Sequence, residues 1–402
     1  MKEKINVSII ILDTLRLDTF KKIFAGKSLY LKNFNLVTFD NCVAPASWTL
    51  PSHASMFTGM YPSEHNCHET KEIKSLDIDR IKLKKETILH RLKGMGYSTF
   101  GISANPYVHP VYGFTGFDTF MEESYFTDIF GSIVEVSDSL KPMVSKYRNI
   151  YGNDVVKLSK AIMKDDPKLF LDLILSATVL SPKSAIKKMK AKLIDGWPIE
   201  KGGKNILKRI GTLEMKEPFF LFVNFMEAHD PYVGVQKMDF NWATPFLRNR
   251  IEESLIKKWK YLYQKASELA YKYGTELIKQ LIARFVENQT IILTSDHGQA
   301  LNEHGFVGHG TVIFDEVVKV PLLVIMPKKF EMKMTNDDYQ SLVNIPNFVL
   351  AAIKDNKKAI EKLSSKSVYS ETFSIPANIT HVKGIDKKKM VKFDKYEKRV
   401  FN

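Results

Sequence analysis

Four short apolar runs constrain the fold of this chain more than any other feature of its sequence. They span residues 7–12, 218–225, 290–294 and 319–327. Continuous runs of this length, rich in β-branched and aromatic residues, are typical of strands that are buried on both faces of a parallel sheet. A helical pattern at 86–93 stops at a glycine before a further predicted strand, which is the rhythm of an α/β fold. We therefore predict an α/β protein with a large, mostly parallel central sheet flanked by helices.

The chain has 402 residues, enough for one large α/β domain with appendages or for two domains. We predict a core in two parts, 1–124 and 217–357, because the strand runs lie there. The segment between them, 125–216, is rich in lysine, is broken by prolines and lacks a strand pattern. It is predicted to be a helical insertion or lid. Residues 358–402 are predicted to form a small C-terminal segment, partly of β structure.

The formal net charge of the chain is +14 at pH 7. This excess favours anionic substrates or partners, or it reflects a lysine-rich surface that has no partner. The basic residues between 183 and 209 could line the approach of an anionic substrate, lie on a lipid surface or form a solvated helical face. We predict no nucleic-acid partner, and peripheral contact with a membrane stays open.

The sequence favours a cytoplasmic protein. Cys42 and Cys67 are the two cysteines, too few for a disulfide scaffold. Residues 1–6 lead straight into the predicted strand 7–12, which is too short for the apolar core of a signal peptide. No run approaches the ~18–20 apolar residues that a membrane span needs.

The stretch Thr49-Leu50-Pro51-Ser52-His53 places a hydroxyl just before a proline. Proline presets the backbone of a first helical turn, so Thr49 is predicted to lie at a helix N-terminus. The free N–H groups and the dipole at such an end favour an anion. Thr49 is then a candidate nucleophile toward a phosphoryl or sulfuryl group, if its pKa is lowered. The alternative is a threonine that only caps the helix.

Polar residues follow the predicted strands at three further points. Asp13 follows the first run, His229 follows the second, and Asp296 and His297 follow the third. Carboxylates and an imidazole that meet at one edge of a sheet suit a divalent metal. A bound cation lowers the pKa of an adjacent oxygen, as it lowers that of water from ~15.7 to about 7. We therefore expect one divalent ion (Zn, Mn, Mg or Ca) held by Asp13, Asp296 and His297, with Thr49 as a further ligand.

In their order and spacing, these segments resemble the sulfatase and alkaline phosphatase superfamily. The resemblance is carried by 7–18, 49–62, 87–99, 294–321 and His229-Asp230-Pro231-Tyr232, which is similar to the substrate-binding His-x-Pro-Tyr of the family. It covers neither the insertion 125–216 nor the last ~35 residues of the chain. The resemblance implies an alkaline-phosphatase-like α/β sandwich with ester hydrolase or transferase activity.

The resemblance also implies roles for individual residues. Asp13, Asp296 and His297 would hold the metal, and Thr49 would be the nucleophile. Four residues would act on the substrate: His229 as a contact to the substrate or leaving group, His309 as an anion contact or proton donor in place of a sulfatase lysine, His53 in place of the usual arginine, and Asn105 as a hydrogen-bond donor to the anion.

One departure from the sulfatases bears on the reaction. Sulfatases convert a cysteine or serine at the nucleophile position into formylglycine, and Thr49 cannot give that aldehyde, so no formylglycine is expected. In having threonine at this position, the chain resembles the nucleotide pyrophosphatase/phosphodiesterases, the lipoteichoic acid synthases and the phosphoethanolamine transferases. These enzymes act on phosphorus. We predict action on an anionic small-molecule or lipid-linked phosphate ester, a phosphodiester above all. The alternatives are a sulfuric ester hydrolase without formylglycine and a non-catalytic anion- or lipid-binding protein on the same fold.

Overall fold

A seven-stranded sheet forms the centre of the structure and carries most of the candidate site residues at one edge. The computed structural model describes residues 4–25, 31, 33–70, 78–123, 161–170, 199–230, 232, 253–285, 288–331, 338–354, 357–373 and 398–401.

The strands of the described residues are β1 (Asn6–Leu12), β2 (Phe34–Phe39), β3 (Cys42–Val43), β4 (Ser98–Ser103), β5 (Thr119–Glu122), β6 (Phe219–Phe225), β7 (Gln289–Thr294), β8 (Ala300–Leu301), β9 (Val307–Gly308), β10 (Leu322–Pro327), β11 (Tyr339–Ser341), β12 (Ser364–Ser365), β13 (Val368–Glu371) and β14 (Lys398–Phe401). The α-helices are α1 (Leu17–Phe24), α2 (Thr49–Thr58), α3 (Pro62–His65), α4 (Ile78–Ile81), α5 (Ile88–Gly94), α6 (Gly203–Thr212), α7 (Glu253–Arg284), α8 (Asp315–Val318) and α9 (Ile345–Ile353). Short 3-10 helices are formed by Pro110–Tyr112, Glu303–Gly305, Leu342–Asn344 and Ala359–Leu363.

The central sheet has the strand order β2-β10-β7-β1-β6-β4-β5. Neighbouring strands are parallel except at β10, which is antiparallel to both β2 and β7. In the middle strand β1, Ile10 pairs with Val223 of β6 and with Leu293 of β7. Every residue of β1, β6, β7 and β10 is buried, which explains why their sequences are continuous apolar runs. The predicted α/β class with a large, mostly parallel sheet is confirmed.

The long helix α7 packs on the sheet through a stripe of small and aromatic residues. Tyr263, Ala266, Ala270, Gly274 and Leu277 are buried along it, at the spacing of three and four residues that lines one helical face. A Cβ atom on Gly274 would lie 2.8 Å from the Leu293 side chain, so glycine allows the helix to approach the sheet closely. None of the helices among the described residues combines the length and apolar content that a membrane crossing requires.

The chain divides into two compact units, Met1–Glu123 with Pro198–Asn402, and Ser124–Trp197. The second unit overlaps the predicted insertion 125–216 without coinciding with it, because α6 belongs to the first unit. In the second unit the described residues 161–165 and 167–170 are helical. Residues 124–160 and 171–198 lie outside the described residues, so the interpretation as a lid stays a prediction.

The predicted C-terminal segment begins with β structure that joins the first unit. Strand β13 pairs antiparallel with β14, and Glu371 of β13 forms a bridge with Ala46. Residues 374–397 lie outside the described residues. Cys42 and Cys67 are buried and free, in agreement with the absence of a disulfide scaffold.

Candidate active site

Four adjacent strands, β7, β1, β6 and β4, deliver polar residues to one edge of the sheet. Asp13 follows β1, Asn105 lies two residues after β4, His229 lies in the loop after β6, and Asp296 and His297 follow β7. Since the four strands are parallel neighbours, their carboxyl ends lie side by side, where open α/β sheets bind their ligands. Residues far apart in the sequence are thereby brought together.

Thr49 is the first residue of α2, as predicted from the proline that follows it. The preceding residue, Trp48, is extended with φ −158° and ψ 168°. Pro51 lies in the first turn, where its missing N–H group costs no helical hydrogen bond. The helix ends at Gly59, whose φ of +75° forms a left-handed cap. Thr49 is 3% exposed, so its hydroxyl lies at a buried helix start.

The predicted metal ligands gather around the Thr49 hydroxyl. Ligand atoms of Asp13, Asp296 and His297 all lie within 4.8 Å of one another. His297 Nε2 is 3.9 Å from Asp13 Oδ1, 3.4 Å from Asp296 Oδ2 and 3.3 Å from Thr49 Oγ1. The structure thus brings the four residues of the predicted metal set into one cluster.

The donor atoms of this cluster fit a cation. His297 Nδ1 contacts the Gly298 carbonyl at 2.9 Å, and a carbonyl only accepts, so Nδ1 carries the proton and Nε2 presents a lone pair to the cluster. Asp13 and Asp296 are fully buried, and Asp296 Oδ2 accepts no hydrogen bond from the described residues. Burial, followed by the charge of Asp13, raises the pKa of Asp296. A dication would offset the cost of two buried carboxylates.

Asn105 lies inside the cluster rather than above it. Its Nδ2 donates to Asp13 Oδ2 at 2.8 Å and to Thr49 Oγ1 at 3.1 Å, and its Oδ1 accepts from Tyr107 N. These two bonds use both hydrogens of the amide nitrogen. This geometry differs from the predicted hydrogen bond to a substrate anion, and it makes Asn105 a group that orients the Thr49 oxygen. A second amide, Asn224 of β6, also donates to Asp13 Oδ2, at 3.2 Å.

The loop after β1 is held in an unusual conformation. Thr14 has a φ of +67°, which costs free energy for a β-branched residue. In this conformation its N–H donates to Asp296 Oδ1 at 3.2 Å and its Oγ1 donates to Asp13 Oδ1 at 2.8 Å. The Tyr263 hydroxyl of α7 donates to the Thr14 carbonyl at 2.9 Å and accepts from Arg16 N at 2.8 Å. Tyr263 therefore fixes the loop that positions both carboxylates.

His53 is placed differently from its predicted contact with the substrate. It is fully buried in α2, and its Nδ1 donates to the Thr49 carbonyl at 2.9 Å. Its ring packs edge-on against Phe222 of β6, with ring centroids 5.7 Å apart. Burial is the largest cause of a lowered pKa of His53. A neutral, buried imidazole of this kind supports the first turn of α2 and has no surface to offer a substrate.

His229 and His309 lie beside the cluster and are partly exposed. Their ring centroids are 4.9 Å apart, and the His309 ring is 4.5 Å from that of His297. Burial and the neighbouring imidazoles of His297 and His229 lower the pKa of His309 well below its ordinary value. Its Nδ1 contacts Gln299 Oε1 at 3.2 Å. A neutral His309 is suited to accept hydrogen bonds rather than to give a proton.

His229 has the partner that a proton donor needs. Its Nδ1 donates to the carbonyl of Asp230 and lies 3.2 Å from Asp230 Oδ1. When the ring is protonated, this contact becomes an ion pair, and Nε2 then carries a proton that can be given to a leaving group. Ligand atoms of His229, Asp230 and His309 also lie within 4.8 Å of one another, so these residues are a second set of potential metal ligands.

Comparison with known proteins identifies the family of this site. A family model described as Sulfatase matches residues 5–354. The chain belongs to the sulfatase family. Its members are ester hydrolases or transferases, so this sulfatase-family chain is an enzyme of that class, as predicted. No curated protein matches it.

Solved structures with the same fold have low sequence identity to this sulfatase-family chain. A 2-O GAG sulfatase has a TM-score of 0.55 at 14% identity, over 92% of this chain and 78% of the other. The phosphonate monoester hydrolase of Agrobacterium radiobacter has a TM-score of 0.56 at 13% identity, over 99% and 85%. A phosphonate monoester hydrolase from Silicibacter pomeroyi has a TM-score of 0.51 at 14% identity, over 93% and 81%.

Sequence reasoning missed several residues of the sulfatase-family site. Asn224 interrupts an otherwise apolar strand, and a polar residue in such a run is a signal that could have been used. Ser295 Oγ accepts from Leu15 N at 2.8 Å and donates to the His297 carbonyl at 2.6 Å. Nothing in the sequence indicated a role for Tyr263, because an aromatic residue at this place in a helical pattern is typical of an ordinary core residue.

Replacing Tyr263 with phenylalanine is expected to weaken metal binding about tenfold, because supporting groups of this kind contribute roughly 10–100-fold to metal affinity. The substitution removes the hydroxyl that holds the Thr14 carbonyl and keeps the ring in place. The dissociation constant of Mn²⁺ or Zn²⁺, measured by calorimetry, tests this. Tyr261→Phe on the same helix, where the side chain is exposed, is the matched control. An unchanged constant in Tyr263→Phe would contradict the assigned role.

Proposed function

We propose that this chain is a metal-dependent phosphodiesterase or phosphotransferase in which Thr49 Oγ1 is the nucleophile. One observation carries the proposal: Thr49 Oγ1, at the start of α2, lies 3.3 Å from His297 Nε2 and accepts a hydrogen bond from Asn105. The Asn105 amide, a neutral donor, aligns this hydroxyl, which also faces the lone pair of His297 Nε2. Since threonine cannot be converted to formylglycine, the hydroxyl itself has to attack.

Asp13, Asp296 and His297 would hold one divalent cation. When bound, the cation supplies positive charge that lowers the pKa of the adjacent hydroxyl and offsets charge on the transferred group. The protein contributes the alignment. Asn105 fixes the direction of the Thr49 oxygen, and the first turn of α2 directs its N–H groups and its dipole at the anion.

The charge of the site favours a monoanionic ester. The side chains in hydrogen-bond or ion-pair contact with Thr49, Asp13 and Asp296 are amides, hydroxyls and imidazoles, as far as the described residues extend. Two carboxylates and a dication sum to zero charge, so little positive charge remains to bind a dianion. A phosphodiester carries one negative charge, whereas a phosphomonoester carries close to two at neutral pH.

The reaction would proceed in two steps on the protein. Thr49 Oγ1, whose proton has passed to solvent, forms a bond to phosphorus as the bond to the leaving alcohol breaks, and His229 Nε2 gives that alcohol its proton. Water, or a second alcohol, then attacks phosphorus and gives its proton to His229 Nε2, while the bond from phosphorus to Thr49 Oγ1 breaks and releases Thr49. Water as the acceptor makes the enzyme a hydrolase, and an alcohol makes it a transferase.

A panel of p-nitrophenyl esters tests the substrate class. We expect kcat/KM for a phosphodiester to exceed that for the phosphomonoester by at least about tenfold, because a charge mismatch of one unit in a buried site costs more than one decade. The assay is run with Zn²⁺, Mn²⁺, Mg²⁺ and Ca²⁺ in turn. A preference for sulfate selects the sulfuric ester hydrolase instead. Turnover of no ester with any of these ions favours the non-catalytic binding protein.

A further inference from the structure

Lys201 is a fully buried lysine within the basic segment 183–209, for which a solvated helical face was one of the predicted alternatives. Lysine is almost never fully buried unless its ammonium is paired. It lies two residues before α6 begins. Burial lowers the pKa of Lys201 to about 8, opposed first by the charge of Glu227. Burying an ammonium costs free energy unless its contacts compensate, and Lys201 takes no direct part in the proposed reaction.

The contacts of Lys201 converge on the loop that carries His229. Its Nζ donates to the Glu227 carbonyl at 3.0 Å and to the His229 carbonyl at 2.5 Å. The carbonyl between them, of Ala228, accepts from the Tyr232 hydroxyl at 2.6 Å. Lys201 Nζ also lies 5.3 Å from the centre of the Tyr232 ring, within cation–π range. Two buried side chains, Lys201 and Tyr232, therefore donate hydrogen bonds to the three consecutive carbonyls of residues 227–229.

The segment around Lys201 is built to reach this loop. Glu227 Oε1 accepts from the backbone N–H of Lys201 at 3.1 Å and from that of Gly203 at 2.9 Å. A Cβ atom on Gly203 would lie 2.2 Å from the ring of Tyr273, so only glycine allows α6 to begin this close to Glu227. Backbone and side chain of the Lys201 segment therefore both bind the His229 loop.

We propose that Lys201 is a positioning residue that fixes the imidazole of His229 against the leaving group by holding the carbonyls on either side of Ala228. The inference rests on the proposed function in that His229 protonates the leaving alcohol. Without the ammonium, two buried carbonyls lose their donor, which is costly enough for the loop to rearrange. The His229 side chain is the part of that loop that faces the site, so its position changes with the loop.

Kinetics with two leaving groups separate positioning from general loss of structure. Lys201→Met keeps the apolar length of the side chain and removes the donor. A nitrophenolate leaves without a proton, whereas a phenolate is a poorer leaving group and needs one. We expect Lys201→Met to lower kcat/KM for methyl phenyl phosphate at least about tenfold more than for methyl p-nitrophenyl phosphate, since general acid catalysis contributes roughly 10²–10⁴-fold. Lys208→Met, an exposed lysine of α6, is the matched control.

His229→Gln and the double variant identify the source of the effect. If His229 is the proton donor, His229→Gln shows the same dependence on the leaving group, and adding Lys201→Met causes little further loss. Equal losses for both esters in Lys201→Met, beside a leaving-group effect in His229→Gln, would overturn the positioning role and leave the proposed function intact. No leaving-group effect in His229→Gln would remove the proton-donor assignment instead.

A spectroscopic measurement reads the position of His229 without turnover. In protein labelled with ¹³C at histidine Cε1, the His229 resonance is assigned from the His229→Gln variant. We expect Lys201→Met to shift this resonance and Lys208→Met to leave it unchanged. Tyr232→Phe, which removes the hydroxyl that donates to the Ala228 carbonyl, should shift it to a smaller degree and keeps the test decisive if Lys201→Met does not fold. A His229 resonance that stays in place in both variants refutes the inference.

Discussion

Thr49→Ala is expected to lower kcat/KM for a phosphodiester by on the order of 10³-fold or more, because removing a nucleophile removes the covalent route. The change deletes Oγ1 and keeps the residue in α2, where alanine is a good helix former. Metal content should stay near the wild-type value, since Asp13, Asp296 and His297 remain. Thr49→Ser should keep measurable activity. Thr58→Ala, at the other end of α2, is the control for the effect of the helix itself.

The predicted covalent intermediate gives a second readout of the same assignment. Quenching the wild-type enzyme in acid during turnover of a diester, followed by tryptic digestion, should show a phosphoryl-containing mass increase on the peptide 33–71. The increase should be missing from Thr49→Ala. Turnover by Thr49→Ala at the wild-type rate would reject Thr49 as the nucleophile, and a mass increase on any other peptide would point to a different residue.

Asp296→Asn is expected to abolish stoichiometric metal binding and, with it, activity. Asp296 Oδ2 is buried and accepts no hydrogen bond from any described residue, so the carboxylate oxygen is available to bind the proposed cation. The amide has nearly the same shape but loses the charge and turns one oxygen into an N–H donor. We expect about one metal ion per wild-type chain by elemental analysis and far less in the variant. Asp40→Asn, an exposed aspartate paired with Lys21, is the control.

Thermal unfolding provides an independent measure of the same loss. A ligand that binds only the folded state raises the melting temperature with its concentration. Added Mn²⁺ or Zn²⁺ should therefore raise the melting temperature of the wild type and of Asp40→Asn but not of Asp296→Asn. An equal rise in Asp296→Asn would contradict the ligand assignment. A second equivalent of metal that disappears in His309→Ala would reassign His229, Asp230 and His309 as ligands.

The residues predicted correctly in position share a simple physical origin. Asp13, Asp296 and His297 follow strands whose apolar sequence marks them as buried and parallel, and parallel neighbours align their ends. Thr49 was located by Pro51, which lies in the first turn of α2. In each case a local pattern fixes the place of the residue in the fold, and the fold then brings these places together.

The residues predicted less well depend on side-chain direction and on distant contacts. His53 and Asn105 align with substrate-contacting positions of the family. The His53 ring, however, donates to the Thr49 carbonyl within α2, and the Asn105 amide donates to Asp13 and Thr49. The residue type at a single position does not determine the direction in which its side chain points. Lys201 was counted only among the basic residues between 183 and 209, because its burial depends on Glu227 and on the close approach that Gly203 permits. Tyr263 reaches the site from a helix almost 250 residues further along the chain.

The strand order has a consequence for how the protein acquires its activity. The middle strand β1 pairs with β6 and β7, whose residues lie more than 200 positions later in the sequence, as in Val7 beside Phe220 and Thr290. Pairings across such separations form slowly, because a long stretch of chain must first be closed into a loop. Asp296 and His297, two of the three predicted metal ligands, follow β7, so a fragment from the first half of the chain would lack both of them. Binding of the proposed metal ion would then report that β7 has paired with β1 and that folding of the sheet is complete.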